Sequence, residues 1–233
     1  MESKKFSLLL NSRKRTKLLL ELFDNLVERT ENLNDIEVLV NFDSDDIQSL
    51  SFINNLLAVE HPINPILKFE FRYRDQQLTK SYNRMASFSA GEFLFVMNDD
   101  ARIETQNWDT ISYPILKDFG NIVYGRTTCN SVDHHPSLQY ASFPIISRAG
   151  YESLGFFLPE ELPTLGGDVL IYRIYEEAQK VTNIPVHLRH VTHETLELVC
   201  RPDETAAQFR AMSNEQYAFT SDITRYVERL QNV

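Results

Sequence analysis

Hydrophobic positions along the chain follow two periods. A short unbroken apolar run, Phe6 to Leu10, is followed within residues 15–28 by Leu18, Leu19, Leu22, Phe23 and Leu26 at helical spacing. The run predicts a buried strand and the stretch after it an amphipathic helix. Ile36 to Val40 predicts a second strand. Asp43-Ser44-Asp45-Asp46 then offers side-chain acceptors to the free N–H groups of a helix whose apolar face is Ile47, Leu50, Ile53, Leu56 and Leu57. Leu67, Phe69, Phe71 and Tyr73 alternate with Lys68, Glu70, Arg72 and Arg74, the period of a half-exposed third strand. A helical segment from Leu78 to Ala90 leads into a fourth apolar run, Gly91 to Met97. Strand alternating with helix in this way predicts an α/β fold with a mostly parallel central sheet flanked by helices.

Beyond this run the pattern is less regular. It predicts a short helix near Trp108 to Leu116, a strand over Ile122 to Thr127, and loops rich in Pro and His through residue 138. Phe143 to Ile146 predicts a strand, with Ser147 capping a helix over Arg148 to Leu154. A helix from Asp168 to Ala178 and a strand around Ile184 to Leu188 follow, then tail helices near Asp203 to Met212 and Ser221 to Leu230. In the last helix Ile223, Tyr226, Val227 and Leu230 form an apolar stripe. Packing on the body of the same chain would cover it, as would a homodimer contact.

With 233 residues, 42% of them hydrophobic, one sizeable core in a single domain is expected. A formal net charge of −10 disfavours nonspecific nucleic-acid binding, which depends on neutralising phosphates with Lys and Arg. Cys129 and Cys200 are the two cysteines, so no disulfide framework is implied and a cytoplasmic setting is the simpler expectation. No segment approaches the roughly 20 apolar residues of a membrane span. The sequence has neither the Gly-x-Gly-x-x-Gly dinucleotide fingerprint nor a P-loop, so those enzyme classes recede.

Candidate chemistry begins where the fourth strand stops, at Asn98-Asp99-Asp100. An apolar run ending in carboxylates delivers acids to the carboxyl edge of a sheet, where open α/β folds place their ligands. Two adjacent carboxylates supply hard oxygen ligands for Mg²⁺ or Mn²⁺, ions that keep positions open for a substrate's phosphates. An acidic turn with no ligand is the plainer alternative.

A helix carrying Asn83, then Ala90-Gly91-Glu92-Phe93, an apolar strand and paired acids resembles the family 2 glycosyltransferases of the GT-A fold. The resemblance covers most of residues 5–195 and is strongest from Lys80 to Asp100 and from Ser147 to Tyr172. It implies one nucleotide-diphospho-sugar transferase domain, with a donor-binding half over about residues 1–105 and an acceptor-binding half with the C-terminal helices over about 106–233. The implied substrates are a nucleotide sugar, with UDP favoured, and a glycan, lipid-linked or protein acceptor.

By the same resemblance the loop Asn11-Ser12-Arg13-Lys14-Arg15 lies under the nucleotide, with Asn11 and Arg13 as donor contacts. Asn41 and Asp43 stand where base- and ribose-binding acids are usual, although the first acid is replaced by Asn41. Its amide can pair with an imide edge or serve only as a strand end. Lys80 and Asn83 share a helix face toward the donor, the alternative being that one of them satisfies neighbouring backbone. Asp99 is assigned to the ribose or to metal-bound water, and Asp100 to the metal. Asp168, in Gly166-Gly167-Asp168 before an apolar helix, matches the catalytic base of inverting members and also reads as a helix cap. A late His that joins the metal is His193, with His190 as the second choice. Departures at Asn41, Asn98 and Gly167 support a competing reading, a noncatalytic nucleotide-sugar or glycan-binding protein that retains the fold.

Overall fold

The computed structural model describes residues 4–73, 78–130, 140–160, 162, 166–191 and 221–233. Eight strands form one sheet: β1 (Lys4–Ser12), β2 (Ile36–Asp43), β3 (Leu67–Arg72), β4 (Gly91–Asn98), β5 (Ala101–Ile103), β6 (Tyr124–Cys129), β7 (Ile145–Ser147) and β8 (Val181–His190). Their order across the sheet is β3-β2-β1-β4-β7-β6-β8-β5. Among the described residues the helices are α1 (Thr16–Arg29), α2 (Ile47–Leu57), α3 (Leu78–Phe88), α4 (Trp108–Phe119), α5 (Arg148–Leu154), α6 (Gly167–Glu177) and α7 (Thr224–Gln231).

Alternation along the strands divides the core. On β1, Phe6, Leu8 and Leu10 face Leu19, Leu22, Phe23 and Leu26 of α1 together with Ile53 of α2 and Trp108 of α4. Leu9, Leu39, Leu94 and Val96 point the other way, toward Tyr82 and Met85 of α3, Leu154 of α5 and Ile171 of α6. The sheet is thus covered by helices on both faces, as an α/β fold requires. Gly91 begins β4 because β1 runs so close: a Cβ there would lie 2.4 Å from the backbone nitrogen of Ser7.

The sheet is mixed, which corrects the expectation of a mostly parallel one. β3, β2, β1 and β4 are mutually parallel, and β6 pairs in parallel with β8. β7, however, is inserted antiparallel between β4 and β6, and β5 is antiparallel to β8. β5 is three residues long, too short for its apolar pattern to stand out next to the acidic turn. A second correction concerns α2, where Ile53 and Leu56 are buried but Ile47, Leu50 and Leu57 are exposed. Here β3 is an edge strand and gives α2 too narrow a surface to cover the whole face; Phe69 is likewise exposed.

α7 packs on α5 and α6 of its own chain, burying Ile223, Tyr226 and Leu230 in the same cluster as Leu154 and Ile171. Of the two expectations for the stripe, packing on the body of the same chain and a homodimer contact, the first is the one seen. No helix among the described residues is long and apolar enough to cross a membrane. The expected helix over 203–212 lies outside the described residues.

Candidate active site

Parallel register builds the site. Asn11 of β1 pairs with Asn41 of β2 on one side and Asn98 of β4 on the other, so the three strand ends bring their amides together at the carboxyl edge. Asp99 and Asp100 form the turn from β4 into β5 and are both buried. The Ser12 hydroxyl donates to Asp99 Oδ2 at 2.8 Å. Arg15, just ahead of α1, places Nη1 3.1 Å from Asp99 Oδ1 and 3.2 Å from Asp100 Oδ2. Burial pushes the Asp99 carboxyl up to about 6; Arg15 and the Ser12 hydrogen bond oppose this, and the neighbouring Asp100 charge adds to it.

His190, the second choice of sequence reasoning, is among the described residues and lies against the acids. Antiparallel pairing sets it opposite Ala101, and its Nε2 lies 3.1 Å from Asp100 Oδ1. Val191 N–H also donates to the Asp100 carbonyl at 2.9 Å. His193 lies outside the described residues. A signal for His190 was present in the sequence, since it continues the inward parity of Ile184, Val186 and Leu188.

Arg102 was missed altogether. This buried guanidinium donates to the Asp99 carbonyl at 3.0 Å and the Ala101 carbonyl at 2.7 Å, and to Leu18 O and Glu21 of α1. It ties the acidic turn to α1 at both ends. Charge on Arg102 gave no sign of this, because its partners on α1, Leu18 O and Glu21, are more than 80 residues away in sequence.

The remaining predicted residues separate. Arg13 pairs with Asp43 at 2.6 Å and with Asp45, so two of the expected donor contacts satisfy each other. Asp46 is the residue that caps α2, accepting from Ser49 N–H, and it also accepts from Lys14 N–H. Asn41 Oδ1 accepts from Arg84 at 2.9 Å, and its Nδ2 donates to Asn11 Oδ1 at 3.0 Å. Lys80 is exposed. Asn83 binds the backbone of residues 157 and 158.

Asp168 lies in the first turn of α6. Gly166 is the N-cap, held at φ 83°, so the reading of Asp168 as the cap is corrected by two residues. Its Oδ1 accepts from Val169 N–H at 2.9 Å. Its charge also reaches the buried Tyr124 hydroxyl, whose pKa burial raises and Asp168 raises further.

Asp100 and His190 suit a hard divalent ion. Octahedral Mg²⁺ with ligands at about 2.0–2.1 Å sets neighbouring ligand atoms roughly 3 Å apart, and the Asp100 Oδ1 to His190 Nε2 separation is 3.1 Å. Among the described residues no group of three or more His, Cys, Asp or Glu side chains is arranged to hold a metal by itself. Such an ion would take its other ligands from water and phosphate, as Mg²⁺ does in phosphate-binding sites.

An eight-stranded mixed sheet with helices on both faces is the GT-A glycosyltransferase fold, and solved structures share it. The mannosyltransferase PcManGT from Pyrobaculum calidifontis, in complex with GDP-Man and Mn²⁺, superposes with a TM-score of 0.65 at 15% identity over 82% of this chain and 58% of its own. TarS 1-349 of S. aureus in complex with UDP-GlcNAc gives 0.60 at 14% identity, over 97% and 70%. GalNAc-T7 with UDP, GalNAc and Mn²⁺ gives 0.62 at 14%, over 80% and 43%. The chain thus spans 58% of the length of PcManGT. No protein-family model matches the sequence, and no curated protein does.

Proposed function

We propose that this chain is a metal-dependent glycosyltransferase that moves a sugar from a nucleotide-sugar donor, of the UDP-sugar class, to an acceptor hydroxyl with inversion at the anomeric carbon. The observation that carries the reading is the buried Asp99-Asp100 turn at the carboxyl edge of a GT-A sheet, with His190 set against Asp100. In this reading Asp100 and His190 hold Mn²⁺ or Mg²⁺, and Asp99 serves the ribose or metal-bound water. The ion, when bound, stabilises charge developing on the departing nucleoside diphosphate. Asn11 and Asn41 offer amides to the base. Arg15, at the mouth of the same turn, keeps the two acids in place. Asp168 accepts the acceptor hydroxyl's proton as that oxygen attacks.

The test is thermal stabilisation by UDP, and by GDP in parallel, with and without Mn²⁺, because a ligand bound by the native state alone raises the melting temperature. Mn²⁺-dependent stabilisation is expected in the wild type and should vanish in Asp100→Ala with the fold intact. Equal stabilisation of wild type and variant, or none in either, rejects the assignment. Nucleotide binding without any sugar transfer or donor hydrolysis would favour the noncatalytic reading, whose support is Asn41 engaged by Arg84 and Arg13 closed on Asp43.

A further inference from the structure

Four consecutive residues of α3 each bind a different segment around the candidate site. Ser81 Oγ lies 2.6 Å from Asn11 Oδ1 at the end of β1. The Tyr82 hydroxyl lies 2.8 Å from Met97 O and 2.9 Å from Asn98 Oδ1 at the end of β4. Arg84 reaches Asn41 at the end of β2 and Glu70 of β3. At 3.6 residues per turn, four successive side chains cover the circumference of a helix. Three of the four therefore hold strand ends, and Asn83 points to what lies opposite them.

That opposite segment is residues 157 and 158. Asn83 Oδ1 accepts from Phe157 N–H and Leu158 N–H, both at 2.8 Å, and Nδ2 donates to Leu158 O at 2.8 Å. Leu158 in turn is packed under the start of α6: a Cβ on Gly167 would lie 3.9 Å from Leu158 Cδ2 and 3.6 Å from Cγ2 of Thr79 on α3. α3 and the segment it grips form the floor of the turn that carries Asp168.

We propose that Asn83 is a positioning residue, which fixes the first turn of α6, and so Asp168, relative to the strand ends gathered by Ser81, Tyr82 and Arg84. The inference rests on the proposed role of Asp168 as base. It replaces the donor contact that the sequence suggested for Asn83, and the two make opposite predictions.

The experiment uses Asn83→Ala and, in case that variant does not fold, Asn83→Asp, which keeps the acceptor and loses the donor. In either, amide exchange at Val169 and Leu170 should speed up about tenfold while the amides of α1 keep their protection, because the opening is local. The turnover number for sugar transfer should fall by about 10- to 100-fold, as small misplacements of a reacting group do, with KM for the donor and Mn²⁺-dependent UDP affinity unchanged. Unchanged exchange at Val169 and Leu170 would overturn the proposal. So would a tenfold loss of UDP affinity, which a donor contact requires. If the wild type neither binds UDP nor transfers sugar, the glycosyltransferase reading fails, and exchange alone decides whether Asn83 places this turn.

Discussion

Two buried acids, Glu37 in β2 and Asp99 in the turn after β4, are shifted in opposite directions, and the difference lies in their partners. Burial pushes the Glu37 carboxyl up, and hydrogen bonds from Lys68, Ser7 and the Ala90 N–H together more than reverse this, leaving its pKa lowered. Asp99 receives fewer donors and a neighbouring negative charge, so burial wins and its pKa is raised. Their contributions to stability have opposite signs. Glu37, lowered in the folded state, contributes stability that is present above its unfolded pKa, about 4.3, and is lost as pH falls through its folded value. Asp99, raised to about 6, instead weakens the fold as pH climbs between its unfolded value and 6. Glu37→Gln should therefore flatten the acid limb of the stability profile, read as urea unfolding at pH 7 and pH 3; an acid limb as steep as wild type would show that Glu37 does not carry it.

At the same scale Asp168→Asn tests the base. It preserves size and the acceptor oxygen used by Val169 N–H while removing basicity. Loss of a positioned base should lower turnover by about 10²- to 10⁴-fold with UDP binding intact. Transfer at the wild-type rate, or a product that keeps the donor's anomeric configuration, would exclude the inverting mechanism with this residue.

At the scale of elements, caps and gripping side chains do what periodicity cannot. Ser147 ends β7 and caps α5: its Oγ accepts from Gly150 N–H at 3.2 Å and from Val123 N–H at 3.0 Å, the latter in the connection before β6. One buried hydroxyl thus serves a helix terminus and an inter-strand link. Ser147→Ala should cost about 2–3 kcal/mol, a cap of about 1 kcal/mol plus a buried N–H left without its acceptor. Chemical denaturation measures this, and a cost under about 0.5 kcal/mol, the size of an ordinary surface substitution, would mean that neither hydrogen bond matters. The cap was legible from Ser147 ahead of a helical pattern. Its second partner was not, since Val123 is remote from it in sequence and is brought beside it by β6 pairing with β7.

For the whole molecule, the decisive feature is the closing of the apolar face behind β4 by α5, α6 and α7. Leu230 is fully buried there, and Arg229 donates to the Leu154 carbonyl at 2.8 Å, binding α7 to the end of α5. Leu230→Ala should destabilise by about 2–5 kcal/mol through lost transfer energy and a cavity. Light scattering should give the same mass for wild type and variant, because the stripe faces its own core. A mass that halves in the variant would restore the intermolecular contact.

What the sequence determined by itself is what short-range physics controls. Alternating runs of period 2 and 3.6 located the strands and helices from β1 to β4, and a run that stops in Asp99-Asp100 marked the sheet edge where ligands bind, because a buried strand can expose carboxylates only at its end. Tertiary structure alone decided the rest. Insertion of β7 between β4 and β6 made the sheet mixed, and pairing of β8 with β5, not proximity in the chain, set His190 beside Asp100. Arg102, on Leu18 O, and Asn83, on Phe157 N–H, act on backbone groups that come within reach only when distant segments meet. A side-chain pattern announces burial and period, whereas the partner of a hydrogen bond is set by which strand lies alongside, and that choice belongs to the packed molecule.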